Sequence, residues 1–355
     1  MQFFTQHQEQ ILFKLYGKDS DYDENIEFLK KSLEDFIQRK VAPNAYNNDI
    51  EEIFPEDTFK ELGELGFIGL PYCEEFEGMD IPFTYYCSGL ESLAKADSGL
   101  ALAVAIHGTV IEGVEAHAQQ EMKEKHLAGL ITGQKIAAFA LTEQQSGSDA
   151  QNMTTTVKFD PETKEYILSG TKYWITNGMS ADVFFVLAKG ENGKVSAFLV
   201  DKDGKGTFEQ HKIHDKMGIR SCNTAELIFQ NYRIPESALV GQVGKGFKYA
   251  MQMLNDGRIT VAAWSTGIAQ GAYEKLLKYV HERQLFGKLL RDFDNTKKEC
   301  ADMLIEIYAS RELYSQAAYY NKEKSVIQDG SIAKVKATET AVYVGERCIE
   351  LSGGY

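Results

Sequence analysis

The sequence predicts an α+β protein: a helical N-terminal domain over residues 1–135, a middle antiparallel β-domain over 136–245, and a C-terminal helical bundle over 246–355. Three observations predict it. Apolar residues recur at helical spacing from residue 26 to about 135. The pattern then changes to short apolar runs between turn residues, and the helical period returns after Gly244-Lys245-Gly246.

In the first segment Ile26, Leu29, Leu33, Phe36 and Ile37 share one helical face, and Phe59, Leu62 and Leu65 share another. Pro43, Pro55, Gly66 and the Gly78 to Pro82 turn fall where helices should stop or start. In the middle segment strands are expected over 166–169, 183–188, 195–201 and 226–229, with Asn192-Gly193 and Asp203-Gly204 as hairpin signals. The last segment carries Met251, Leu254, Val261, Ile268, Ala272, Leu276 and Val280 at helical period, then two more helices over about 291–322 and 326–351. An up-and-down bundle normally closes with four helices. This one is therefore expected to lack its last helix and to leave an apolar seam needing a partner.

Composition narrows the function. The chain carries 38 basic and 52 acidic residues, a net charge of −14, with no Lys/Arg-rich run, which excludes nucleic acid and anionic membranes as partners of the average surface. No stretch is read as approaching the ~20 apolar residues of a membrane span, and the N-terminal Met1-Gln2-Phe3-Phe4 resembles no signal peptide. Five scattered cysteines with no CxxC pair argue against a disulfide framework and for a cytoplasmic location, and the seven histidines show no metal-binding spacing.

Two segments carry the chemistry. Phe139-Ala140-Leu141-Thr142-Glu143-Gln144-Gln145-Ser146-Gly147-Ser148-Asp149-Ala150 joins the helical part to the β part; its amides and hydroxyls could cradle a phosphate or a polar ring edge, although composition alone favours an ordinary turn. Tyr173-Trp174-Ile175-Thr176-Asn177-Gly178 is strand followed by turn, and by itself reads as a core tryptophan on a sheet.

In this order and at this spacing the two segments resemble the acyl-CoA dehydrogenase family. Further matches are Phe54-Pro55 with Glu64-Leu65-Gly66-Phe67-Ile68-Gly69, Met217-Gly218-Ile219-Arg220 with Asn223-Thr224-Ala225-Glu226-Leu227, Pro235-Glu236-Ser237, Arg283-Gln284-Leu285-Phe286-Gly287 and the closing Gly353-Gly354-Tyr355. The resemblance implies an FAD enzyme that removes hydrogens from the α and β carbons of an acyl-CoA in fatty-acid β-oxidation, and passes the electrons to an electron-transfer flavoprotein. By the same matching Phe139, Leu141, Thr142, Gly147, Ser148, Trp174, Ile175 and Thr176 hold the flavin, while Ser148, Asn255 and Arg258 meet the coenzyme-A arm. Arg283, Phe286, Asp294, Glu350, Gly353 and Gly354 touch the FAD of a neighbouring subunit, which implies a homodimer or homotetramer.

The chain departs from the family in its base. A thioester α proton is too weakly acidic to leave without a positioned carboxylate. In most of the family that glutamate follows the double glycine, so here it is expected beyond Tyr355 and no catalytic base is assigned; the sequence reads as C-terminally shortened. A minority of the family places it immediately before the arginine that Arg258 matches, a position held here by Gly257. Asp256 is the fallback, but one residue along a helix turns a side chain by ~100°. Asp294 and Glu350 stand where glutamine is common, and Gln144 where proline is usual. The other reading these departures leave is a non-catalytic flavin- or acyl-CoA-binding relative, or a subunit of another chain's site.

Overall fold

The computed structural model describes residues 5–16, 20–321 and 327–354. The Met1 to Phe4 segment, Tyr355 and the expected helix ends at 322 and 326 lie outside the described residues. Helices come first: α1 (Gln6–Tyr16), α2 (Ser20–Phe36), α3 (Ala45–Ile50), α4 (Glu56–Glu64), α5 (Phe83–Ala96), α6 (Ser98–His117) and α7 (Gln120–Ile131). The breakers act as read. Helix α2 widens into a π turn over Ile37–Val41, where the Ala42 amide reaches back to the Ile37 carbonyl, just ahead of Pro43. Pro55 is the N-cap of α4, whose Phe59 and Leu62 are fully buried.

Eight strands follow: β1 (Ala137–Ala140), β2 (Thr156–Asp160), β3 (Glu165–Thr176), β4 (Val183–Gly190), β5 (Val195–Asp201), β6 (Lys205–Lys212), β7 (Thr224–Pro235) and β8 (Leu239–Val240). They form one sheet in the order β6-β7-β3-β2-β4-β5-β8, with β1 also paired to β4. The sheet is mixed rather than antiparallel throughout, because β1 and β2 both run parallel to β4. Apolar alternation specifies which face of a strand is buried and carries no direction, so the sequence could not separate the two. The Asn192-Gly193 turn does join an antiparallel pair, β4 and β5, with Gly193 at φ +74. Asp203-Gly204 does not make a hairpin: β5 and β6 are not neighbours. Its glycine serves close approach instead, since a Cβ there would stand 2.5 Å from the Tyr232 ring.

The rest is α8 (Gly246–Glu282), a small hairpin of β9 (Gln284–Leu285) and β10 (Lys288–Leu289), α9 (Asp294–Tyr319) and α10 (Ile327–Ser352). The chain divides into two units. One lies within Met1–Ala45, Ile81–Leu102 and Arg258–Tyr355; the other comprises Tyr46–Asp80 and Ala103–Gly257. In the first unit the three C-terminal helices do not pack alone. Cys87 of α5 shares a core with Ile259, Ala262 and Ala263 of α8, Tyr314 and Ala317 of α9 and Ala333 and Ala337 of α10, so a fourth helix comes from far upstream in sequence. Gly267 and Gly271 let α8 approach the α5 backbone: a Cβ at either would meet the Glu91 or Lys95 carbonyl at 2.3 and 2.7 Å.

Helix α6 corrects another expectation. By length and composition it could cross a membrane, yet 72% of its apolar window is buried inside the protein. A core helix with no solvent face reaches the same composition.

Candidate functional site

The loop 141–155 exists because β4 has two partners along one edge. β1 covers its first half, ending with Ala140 opposite Val186, and β2 resumes with Thr156 opposite Lys189. Between them the chain leaves the sheet. The start of β1 is fixed by two buried side chains: His107 Nδ1 accepts from the Ala137 amide at 2.9 Å, and Asn177 Nδ2 donates to the Ala137 and Ala103 carbonyls at 3.1 and 2.9 Å. Burial holds His107 down at about 4, so it is neutral and its Nε2–H serves the Leu130 carbonyl.

Beside this loop β3 is bulged. Its register with β7 shifts between Lys172 and Ile175, and within the shift Trp174 takes φ +60. Left-handed backbone is costly for a bulky residue and concentrates at functional sites. The bulge turns Trp174 outward to 54% exposure, so the sheet-core reading of this tryptophan fails; Ile175 beside it is buried. Tyr173 N donates to the Thr142 carbonyl at 2.8 Å, which joins loop and bulge. Phe139, Thr142 and Thr176 are half-buried, Leu141 is buried, and Gly147 and Ser148 are exposed. The Thr142, Ser148 and Thr176 side chains make no hydrogen bond among the described residues. A Cβ added at Gly147 would meet nothing within 4 Å. The result is an open cradle of hydroxyls and amides beside an exposed indole.

Two residues without an assigned role at sequence level hold this arrangement. Glu143 (2% exposed) and Lys172 (fully buried) form an ion pair at 2.9 Å. Burial alone would raise the Glu143 carboxyl; donors from Thr154 and Thr155 and the Lys172 charge bring it down to about 2 instead. A lysine inside an alternating strand and a glutamate inside a polar loop each read as solvent-facing, and only their meeting reveals the pair.

On α8, Asn255 and Arg258 are three apart and therefore on one face, both half-buried. Asp256 is engaged elsewhere. It hydrogen-bonds Glu112 of α6, whose carboxyl is pushed well above its ordinary value by burial and by Asp256. In the unfolded chain Glu112 ionises at about 4.3. Above that pH the folded protein must keep a proton the unfolded chain releases, so this pair costs stability increasingly as pH rises toward the folded pKa, and nothing below ~pH 4. Glu112→Gln keeps a donor toward Asp256 without that cost. It is expected to raise Tm by about 2–4 °C at pH 8 and to leave Tm unchanged at pH 4; an equal shift at both values would show that the carboxyls do not share a proton.

The remaining candidates lie in the first unit. Arg283 follows α8, and Phe286 is 96% exposed at φ +51 with Gly287 at φ +74, the two-residue primed turn of the β9–β10 hairpin. The Tyr279 hydroxyl donates to the Ser352 carbonyl at 3.1 Å, and Leu290 and Leu351 pack on one core, which brings the hairpin root and residues 350–354 to the same end of this unit. Asp294 is exposed and pairs with Lys297 at 3.1 Å; Glu350 pairs with Arg347 at 2.6 Å. Gly353 and Gly354 are exposed. Among the described residues no group of three or more His, Cys, Asp or Glu could hold a metal ion.

Comparison with known proteins identifies the family. Three family descriptions match the chain: Acyl-CoA dehydrogenase, N-terminal domain over residues 23–134, middle domain over 138–232, and C-terminal domain over 244–355. A short-chain-specific acyl-CoA dehydrogenase of Megasphaera elsdenii is 36% identical, over 93% of this chain and 88% of that protein. An acryloyl-CoA reductase (NADH) of Anaerotignum propionicum is also 36% identical, over 93% and 84%. Among solved structures, a glutaryl-CoA dehydrogenase from Mycobacterium smegmatis in complex with FADH2 superposes with a TM-score of 0.88 at 27% identity, covering 95% of this chain and 86% of that one. The chain belongs to the acyl-CoA dehydrogenase family.

Proposed function

We propose that the protein is an FAD-dependent enzyme acting on the α and β carbons of an acyl-CoA thioester, with an electron-transfer flavoprotein as the electron acceptor. The observation that carries this reading is the exposed Trp174, strained to φ +60 in a bulge tied to the open Thr142 loop. An indole turned out of a sheet beside unengaged hydroxyls is suited to a flat, polar-edged ring, and the bare Gly147 lets a ligand approach the backbone. FAD, when bound, supplies the two-electron sink for hydride leaving the β carbon.

The chain's own residues orient that chemistry. Thr142 and Thr176, with nearby amides, hold the polar edge of the ring; Phe139, Leu141, Trp174 and Ile175 flank it; Gly147 and Ser148 close the loop side. Ser148, Asn255 and Arg258 bind the coenzyme-A arm, with the Arg258 guanidinium suited to its phosphates. Arg283, Phe286, Asp294, Glu350, Gly353 and Gly354 reach the FAD of a second copy. Exposed Ile305, Val335, Val342 and Ile349 on α9 and α10 support a homodimer or homotetramer. The free cysteines suit a reducing cytoplasm.

A minority of the family carries its base at the position that Gly257 holds here. Purified protein is expected to be yellow, with a flavin band at about 450 nm, and to bleach on adding butyryl-CoA. Colourless protein that takes up no added FAD would refute the reading; protein that binds FAD and acyl-CoA without bleaching would favour a non-catalytic member.

A further inference from the structure

We infer that the buried Glu143–Lys172 pair is a positioning pair for the flavin, fixing the separation of the two segments, 141–142 and 173–176, that face the ring. The inference rests on the FAD reading above and concerns what sits behind the cradle rather than in it. The Glu143 carboxylate uses both oxygens. Oε1 accepts from Lys172 Nζ at 2.9 Å and Thr155 N at 2.9 Å; Oε2 accepts from Thr154 N at 2.6 Å, Thr154 Oγ1 at 2.8 Å and Gln145 Nε2 at 3.2 Å. Lys172 also donates to the Leu141 carbonyl at 3.1 Å and lies 3.8 Å from Met153 Sδ.

One buried point therefore ties the start of the loop at Leu141, its return at Thr154 and Thr155, and the root of the bulge. Lys172 pairs with Leu227 in the last regular register position before the shift that turns Trp174 outward. Buried, hydrogen-bonded charges are stiff, because moving either group leaves the other desolvated and unpaired. Neither side chain is exposed, so neither touches the ring: both act through Thr142 and Trp174.

The test uses the full chain and free FAD. Lys172→Met and Glu143→Gln are each expected to raise the Kd for FAD about 10-fold or more and to shift the visible band of the flavin that still binds. Tyr232→Phe is the control, since it removes hydrogen bonds to Gly204 and Asp201 in the same sheet, away from the loop. It is expected to lower Tm without changing Kd or spectrum. If the pair variants match wild type in Kd and spectrum, or lose no more than Tyr232→Phe, the positioning role is overturned. Should Lys172→Met give no folded protein, Lys172→Arg, which keeps the charge but displaces its donors, is decided by the same two readouts. Wild-type chain that binds no FAD overturns both this inference and the FAD reading.

Discussion

Gly257→Glu is expected to raise acyl-CoA oxidation by the 355-residue chain by about 10²–10⁴-fold, the usual contribution of a positioned general base. The site is prepared for it sterically. A Cβ built at Gly257 finds only Thr109 Oγ1, at 3.8 Å, which is ordinary contact, and its backbone is helical, so glutamate also gains helix propensity over glycine, about 0.5–1 kcal/mol. The neighbouring acid cannot serve, since Asp256 is committed to Glu112. Gly257→Gln supplies the same bulk without a base and is expected to leave the rate unchanged. Rates measured with butyryl-CoA and an artificial electron acceptor should rise with pH for Gly257→Glu alone, as its carboxyl ionises. Equal rates for the glutamate and glutamine variants would show that proton abstraction does not limit this chain.

Arg311→Met is expected to destabilise the first unit by about 3–5 kcal/mol. Arg311 is fully buried, and its guanidinium is almost completely used. Nε reaches the two Glu91 oxygens at 3.0 and 3.1 Å, and Nη2 reaches Glu91 Oε1 at 2.6 Å and Gln270 Oε1 at 2.9 Å. Nη1 lies 3.1 Å from His7 Nδ1. The Tyr314 hydroxyl also donates to Glu91 Oε2. This cluster joins α1, α5, α8 and α9, and removing the cation leaves a desolvated carboxylate without its guanidinium partner. Arg311→Met with Glu91→Leu removes both charges and is expected to recover most of the loss, because the desolvation cost disappears with the pair. Urea melts of wild type, single and double variants decide it; a double variant no better than the single would mean that the cluster stabilises through packing alone.

Several of these groups show why the site was only partly legible beforehand. Trp174 could be located from its motif, but an aromatic in a strand reads as core until the bulge and its positive φ are seen. Lys172 and Glu143 sit 29 residues apart in segments that each look solvent-facing. Glu91 lies in a mostly buried helix, 220 residues from Arg311, and no local pattern links them. The fourth helix beside α8, α9 and α10 is illegible for the same reason: α5 reads as an ordinary N-terminal helix, and its place in that core depends on contacts far apart in sequence.

By itself the sequence determined what is local: helix and strand periods, the proline and glycine stops, the order of the helical and β segments, and the two motifs that mark the family. Those follow from side-chain spacing along a regular backbone, which needs no knowledge of neighbours. Tertiary structure alone decided strand direction, the outward turn of Trp174 and the pairing of buried charges. These depend on which distant groups are desolvated together, an energy that no single stretch of chain contains.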